Sequence, residues 1–187
     1  MAIAINGSSN TITGLAVGGL PDGVVDTDML AANAVTAAKR GSGAILQVKQ
    51  VVKTDSFSTS SESSVDVTGL SVAITPTSSS SKILVIFSGY GSVNNANFGL
   101  RVFLMRGISG TFTEIARNYN QEPTIQSQTG SNLINQFLDS PSTTNEVTYK
   151  LQINTDNSGN SGRIGAGGNN GSLNLPDSVI TVIEVAV

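Results

Sequence analysis

The chain has 187 residues, of which 12% are charged, a net charge of −3, and no Cys, His or Trp. This length suits one core-bearing domain with an extension. The composition excludes a disulfide framework and the usual zinc and copper ligands, and it lacks the side chain most used for proton transfer near neutral pH.

Lys49, Lys53, Arg101, Arg106 and Arg117 are scattered rather than banked, so no phosphate-binding surface and no nucleic-acid partner is expected. No apolar run approaches the roughly 20 residues that span a bilayer, so no membrane insertion is expected. The first residues lack a basic stretch followed by a continuous apolar one, unlike a secretory signal.

Residues 1–25 read as short extended pieces cut by turns at Asn6-Gly7 and at 18–23 (GGLPDG). Ile3, Ile5, Ile12, Leu15 and Val17 are the apolar side chains between those turns, too few to form a core alone. Residues 28–40 are the best helix candidate. Asp26 or Thr27 can cap the first N–H groups, and Lys39 and Arg40 suit the last turn before Gly41. Leu30, Ala34, Ala37 and Ala38 form one stripe, which Met29, Ala32 and Val35 widen. A helix of about 20 Å is marginal alone in water. It needs its own domain or its symmetry mates to dock on.

A boundary is expected near Ser42-Gly43, separating an N-terminal stalk or attachment segment (1–43) from a β-sandwich domain (44–187). Residues 44–53 (AILQVKQVVK) are rich in β-branched side chains. Val65, Val67, Val72 and Ile74 alternate around a turn at Thr68-Gly69. Residues 82–87 (KILVIF) and 178–187 (SVITVIEVAV) are apolar on both faces, as in central strands. Phe98, Leu100, Val102 and Leu104 alternate, and Val147, Tyr149, Leu151 and Ile153 give the cleanest period of two. Weaker strands are expected at 111–117 and 132–138. Polar loops are expected at 56–64, 77–81, 118–130 and 155–171. Many short strands, long polar loops and only one short helix predict a mainly β chain whose C-terminal part is an antiparallel, jelly-roll-like sandwich. The two-sided strands predict one sheet covered on both faces, as three copies packed around an axis would cover it.

The segment at 19–39 (GLPDGVVDTDMLAANAVTAAK) resembles the corresponding stretch of tailed-phage fibre and virion appendage proteins of the marine and cyanobacterial phage type. The stretches 43–48 (GAILQV), 54–60 (TDSFSTS) and 66–85 (DVTGLSVAITPTSSSSKILV) look like the start of the C-terminal domain in the same proteins. The resemblance spans roughly residues 5–90 and carries no catalytic motif. It implies a homotrimer whose N-terminal segment forms a stalk or binds other virion proteins and whose C-terminal domain faces outward. Many relatives repeat the stalk unit. Here it occurs about once, which points to a short tail fibre or tip, or alternatively to a head fibre or capsid decoration protein.

Candidate sites are few. Asp22, Asp26 and Asp28, and Asp156, Asn157 and Asn160, are oxygen-rich, but neither group has calcium-loop spacing, and capping and turns account for them. The run 165–171 (GAGGNNG) lacks the Lys and Ser/Thr of a nucleotide loop. Ser79 to Lys82 fits a Ser-x-x-Lys pattern without helical context. Glu62, Glu114, Glu122, Glu146 and Glu184 are isolated in sequence, whereas glycoside hydrolysis needs a converging pair. A polysaccharide-degrading enzyme is therefore a minor alternative, and Tyr90 and Tyr119 are its only expected exposed sugar platforms. Glu184, inside an apolar strand, is expected to be buried in a hydrogen bond or ion pair.

The expected reading is a non-enzymatic virion structural protein with no cofactor and no metal. Assembly and attachment are expected through Ile3, Ile5, Ile12, Leu15, Val17, Leu30, Ala34, Ala37 and Ala38. Contact with a host-surface polysaccharide or protein is expected through the loops that carry Tyr119, Asn120, Gln121, Gln126, Gln128, Asn157, Asn160 and Arg163.

Overall fold

The computed structural model describes residues 4–6, 8, 11–13, 35, 39–94, 99–120, 130–167, 173–174 and 177–187. The chain divides into two compact units, Met1–Lys39 and Arg40–Val187. In the first, β1 (Ala4–Asn6) pairs antiparallel with β2 (Thr11–Thr13), which puts Ile5 opposite Ile12. The helix expected over 28–40 lies outside the described residues, apart from Val35, Lys39 and Arg40. Ile3, Leu15, Val17, Leu30, Ala34, Ala37 and Ala38 lie outside them too.

Among the described residues, the second unit contains eight long strands: β3 (Ile45–Lys53), β5 (Val65–Ile74), β6 (Lys82–Val93), β7 (Leu100–Ile108), β8 (Thr111–Asn120), β9 (Gly130–Asp139), β10 (Val147–Thr155) and β14 (Ser178–Val185). Four short ones join them: β4 (Phe57–Thr59), β11 (Gly162–Ile164), β12 (Ala166–Gly167) and β13 (Leu173–Asn174). One sheet runs β3, β14, β6, β9, with β11 and β4 continuing from the far end of β6; the other runs β5, β10, β7, β8. Numbering the eight long strands from one to eight along the chain, the orders are 1-8-3-6 and 2-7-4-5. Every pairing is antiparallel. Each sheet thus takes strands from both ends of the chain, the interleaving of a jelly roll.

The period-two patterns explain the packing. On β10, Val147, Tyr149, Leu151 and Ile153 are all buried, and they meet Ile83, Val85 and Phe87 of β6 and Ile180 and Val182 of β14 in one core. The strands read as apolar on both faces, 82–87 and 178–187, do lie side by side in the centre of one sheet. Strands expected at 111–117 and 132–138 extend to 111–120 and 130–139. Four short strands fall in segments expected to be loops or left unassigned. β4 and β11 form because neighbouring edges supply backbone partners that local propensity does not encode, whereas β12 pairs with β13 as a separate two-stranded sheet. The glycine run is also not wholly a free loop: Ala166 is buried and its carbonyl accepts from Ser92 Oγ at 2.6 Å.

The hairpin joining β7 and β8 turns on two residues between Ile108 and Thr111. Ser109 and Gly110 both have positive φ, 50° and 82°, as a type I′ turn demands. Gly110→Ala should lower stability by about 1 kcal/mol, because an L side chain is strained there. Urea unfolding should show a lower midpoint with an unchanged slope.

Candidate functional site

The two sheets differ sharply on the faces turned away from the core. On the sheet containing β10 and β7, the outer face is polar and internally paired. Asp66 accepts from Lys150 Nζ at 2.7 Å and from Gln152 Nε2 at 2.8 Å. Arg117 meets Glu114 through two bonds of 2.6 and 3.0 Å and lies 5.6 Å from the Phe103 ring centre. Lys150 Nζ sits 3.7 Å from the centre of the Phe112 ring. Such a surface is satisfied in water.

The outer face of the β3, β14, β6, β9 sheet is uncharged and largely apolar. The register sets Val48, Ile183, Leu84 and Leu138 in one cross-strand row and Val52, Val179, Ser88 and Ile134 in another. Between them run Gln50, Thr181, Ile86 and Gln136, with Gln50 Nε2 donating to Thr181 Oγ1 at 3.0 Å. None of these rows carries a charge; Lys82 lies beyond them, opposite Val185. On this face the most exposed apolar side chains are Ile134 at 64%, Ile45 at 58%, Val48 at 54%, Leu138 at 52% and Val52 at 47%. Two uncharged rows rich in Val, Ile and Leu thus flank a mostly polar one, which makes this face the candidate interaction surface. The residues of β6 and β14 were readable in sequence as apolar in both phases of the strand period, whereas those of β3 and β9 were not. What could not be read was that the outward phases of four separate strands align into a single face.

The buried acids are structural. Glu184 is fully buried. Its Oε2 accepts from Gln47 Nε2 at 2.6 Å, and its Oε1 accepts from the Thr77 N–H and Oγ1, each at 2.7 Å. Burial pushes its carboxyl up, but the neighbouring Ser81 hydroxyl, the Gln47 amide and Thr77 together hold it below the ordinary glutamate value. It thereby latches the segment at 75–81 to β14. Asp139, at the end of β9, accepts from Arg106 Nη1 at 2.9 Å and from Tyr149 Oη at 2.8 Å, linking a strand of one sheet to two of the other. Burial and the adjacent Asp139 carboxylate raise the Tyr149 phenol far above its usual range, so it remains a donor. Neither acid faces a groove with a second carboxylate. A shallow cavity of about 390 Å³ beside Ser109-Gly110, lined by Phe112, Asn145 and Thr148 among others, contains a single acid, Glu146.

Of the expected receptor residues, the structure describes Tyr119, Asn120, Asn157, Asn160 and Arg163. Tyr119 and Asn120 end β8, opposite Arg101 and Leu100; Gln121, Gln126 and Gln128 lie outside the described residues. Asn157 is exposed and its Oδ1 accepts from the Gly159 N–H at 2.7 Å. Asn160 is buried, so its amide is not presented to a receptor. Its N–H closes the turn on the Asn157 carbonyl. Arg163 lies on β11 between Ser58 and Ser92. Tyr90 is half-buried, its hydroxyl accepting from the Gly130 N–H at 2.9 Å, which fits an anchor for β9 better than a sugar platform.

No family model and no curated protein matches the sequence. Similar solved structures include that of the infectious bursal disease virus Gt strain, at 15% identity and a TM-score of 0.44, covering 90% of this chain and 43% of that one. The structure of the Gx strain follows at 16% identity and 0.41, covering 75% and 39%. The crystal structure of the VP2 subviral particle of the same virus gives 14% and 0.38, covering 75% and 38%. The chain spans less than half the length of each. The jelly-roll assignment rests on the strand order itself.

Two outcomes follow from the buried acids. Asp139→Ala strands the Arg106 guanidinium and the buried Tyr149 hydroxyl, and should cost about 3 kcal/mol in denaturant unfolding. The Glu184 contribution is complete above the ordinary glutamate pKa of 4.5 and is lost as pH falls through the lower value of the folded state. Glu184→Gln should therefore lower stability by about 2 kcal/mol at pH 7 and flatten the acid limb of a melting-temperature profile against pH. An unchanged acid limb would remove Glu184 from the explanation.

Proposed function

We propose that the chain is a structural component of a tailed-phage particle: a short trimeric tail fibre or tip, attached through residues 1–39, whose sandwich domain presents its loops to the host surface. The observation that carries this reading is the contrast between the two sheet faces. One is laced with ion pairs and suits water. The other aligns Val, Ile and Leu across four strands without a charge. Three sandwiches that turn this face toward a common axis bury it and leave the paired, polar faces outside. The resemblance of residues 5–90 to phage appendage proteins supplies the particle. The sparse charge suits a structural role, and no pair of buried acids faces a groove among the described residues.

Native mass measurement should give three chains per particle of protein; a stable monomer at micromolar concentration rejects the assembly. Deleting residues 1–39 should leave a folded sandwich and abolish incorporation into virions, and unchanged incorporation rejects attachment through that segment. Copy number then assigns the berth. A few trimers per particle support the tail position, whereas a count that scales with the shell moves the chain to the head as a fibre or decoration protein.

A further inference from the structure

The geometry points to a ring-closing contact in which the β9 margin of one copy packs on the β3 margin of the next copy of the same chain. This rests on the trimeric reading above and names the surfaces that would build it.

Three observations carry it. The first is where the exposed apolar side chains sit. The five most exposed on this face are not at its centre. Ile134 and Leu138 belong to β9, at one margin of the four-strand sheet; Ile45, Val48 and Val52 belong to β3, at the opposite margin. The central residues Val179, Ile183, Leu84 and Ile86 are half-buried. An edge-to-edge two-fold contact brings one margin onto its own copy and leaves the other wet. A head-to-tail ring covers both, because each copy offers its β9 margin to one neighbour and its β3 margin to the other.

The second observation is edge protection. Exposed edge strands are usually guarded by charges, proline or bulges. β3 has a register shift opposite Glu184 and Val185 and carries Lys49 and Lys53. β5 has a shift opposite Lys150 and Gln152 and carries Asp66. β8 has a shift opposite Leu104 and Met105 and carries Glu114 and Arg117. β9 has none of these. It pairs with β6 over ten consecutive residues without a shift, and residues 130–138 (GSNLINQFL) contain no charge and no proline. Its one acid, Asp139, is turned inward to Arg106 and Tyr149. An unguarded edge of this length is expected where a partner covers it.

The third observation is register. β9 and β3 run antiparallel to one another, because β3 is antiparallel to β14, β14 to β6, and β6 to β9. Ile134 shares its row with Val52, and Leu138 shares its row with Val48. When copies are related by an axis along the strands, rows stay level. Ile134 of one copy then meets Val52 of the next, and Leu138 meets Val48. Both pairs join uncharged, branched side chains across a dry seam.

The chain has no cysteine, so engineered thiols report without background. Val52→Cys/Ile134→Cys and Val48→Cys/Leu138→Cys double variants, treated with a short bifunctional maleimide, should run as covalent trimers on a denaturing gel. Each single-cysteine variant should remain a monomer on that gel while keeping the trimeric native mass. Covalent dimers from a single-cysteine variant would overturn the ring in favour of a two-fold contact. A trimeric native mass with no cross-link from either double variant would overturn this seam and leave the trimer standing; a monomeric native mass would sink both. As a second readout, Ile134→Asp should convert the native trimer to monomer with an unchanged circular dichroism spectrum, and retention of the trimer would overturn the seam.

Discussion

Everything in this domain depends on one apolar layer held between two sheets. Ile83, Val85 and Phe87 of β6, with Ile180 and Val182 of β14, face Val147, Tyr149, Leu151 and Ile153 of β10 and Val102 and Leu104 of β7. Burying that layer is the main favourable term available to a chain with no disulfide. It also dictates the topology, since strands from both ends of the chain must enter each sheet to close it. Apolar burial alone is not directional, and two greasy faces can slide. Asp139 removes that freedom: its two oxygens take a guanidinium and a phenol from the opposite sheet, so the carboxylate is satisfied at one relative placement.

Once the inner phase of each strand is committed to this layer, the outer phase is free to differ between sheets, and it does. Around β10 the outer positions hold Lys150, Gln152 and Asp66, whose bonds close among themselves. Around β14 they hold Val179, Thr181, Ile183 and Val185. The same folding constraint thus yields a domain with one polar, ion-paired sheet face and one uncharged sheet face rich in Val, Ile and Leu. A core needs only one apolar phase per strand; the outward Val, Ile and Leu residues of β14, β6, β3 and β9 are surplus to it. Glu184 illustrates the boundary between these demands. It occupies an inner position of β14, where a carboxylate is costly, and it is tolerated because Gln47 and Thr77 donate to both its oxygens while anchoring the adjacent loop.

The legibility of the fold varies by element for physical reasons. β10 was plain because Val147, Tyr149, Leu151 and Ile153 alternate with polar residues, and alternation is a local property. β6 and β14 were readable as two-sided, and they do occupy the sheet centre. β4 and β11 were not, since Phe57 and Arg163 join the sheet only because distant strands offer them backbone partners. Among expected site residues, Asn160 looked like a loop amide and is buried, because the turn it closes folds back on the sandwich. Asp139 drew no attention at all: an acid at the end of a weak strand has no local signal for a partner ten residues away on the other sheet.

Composition and period by themselves determined that this chain is mainly β, that its body is an antiparallel sandwich, and that some strands carry more apolar surface than one core can use. These are sums and alternations along the chain, and they need no knowledge of neighbours. Only the tertiary structure decided which strands sit side by side, and so whether those surplus apolar residues scatter or align. Register placed Ile134 level with Val52 and Leu138 level with Val48, at opposite margins of one sheet. Pairing between residues more than eighty positions apart is set by closure of the shared core, and no local stretch of sequence contains it.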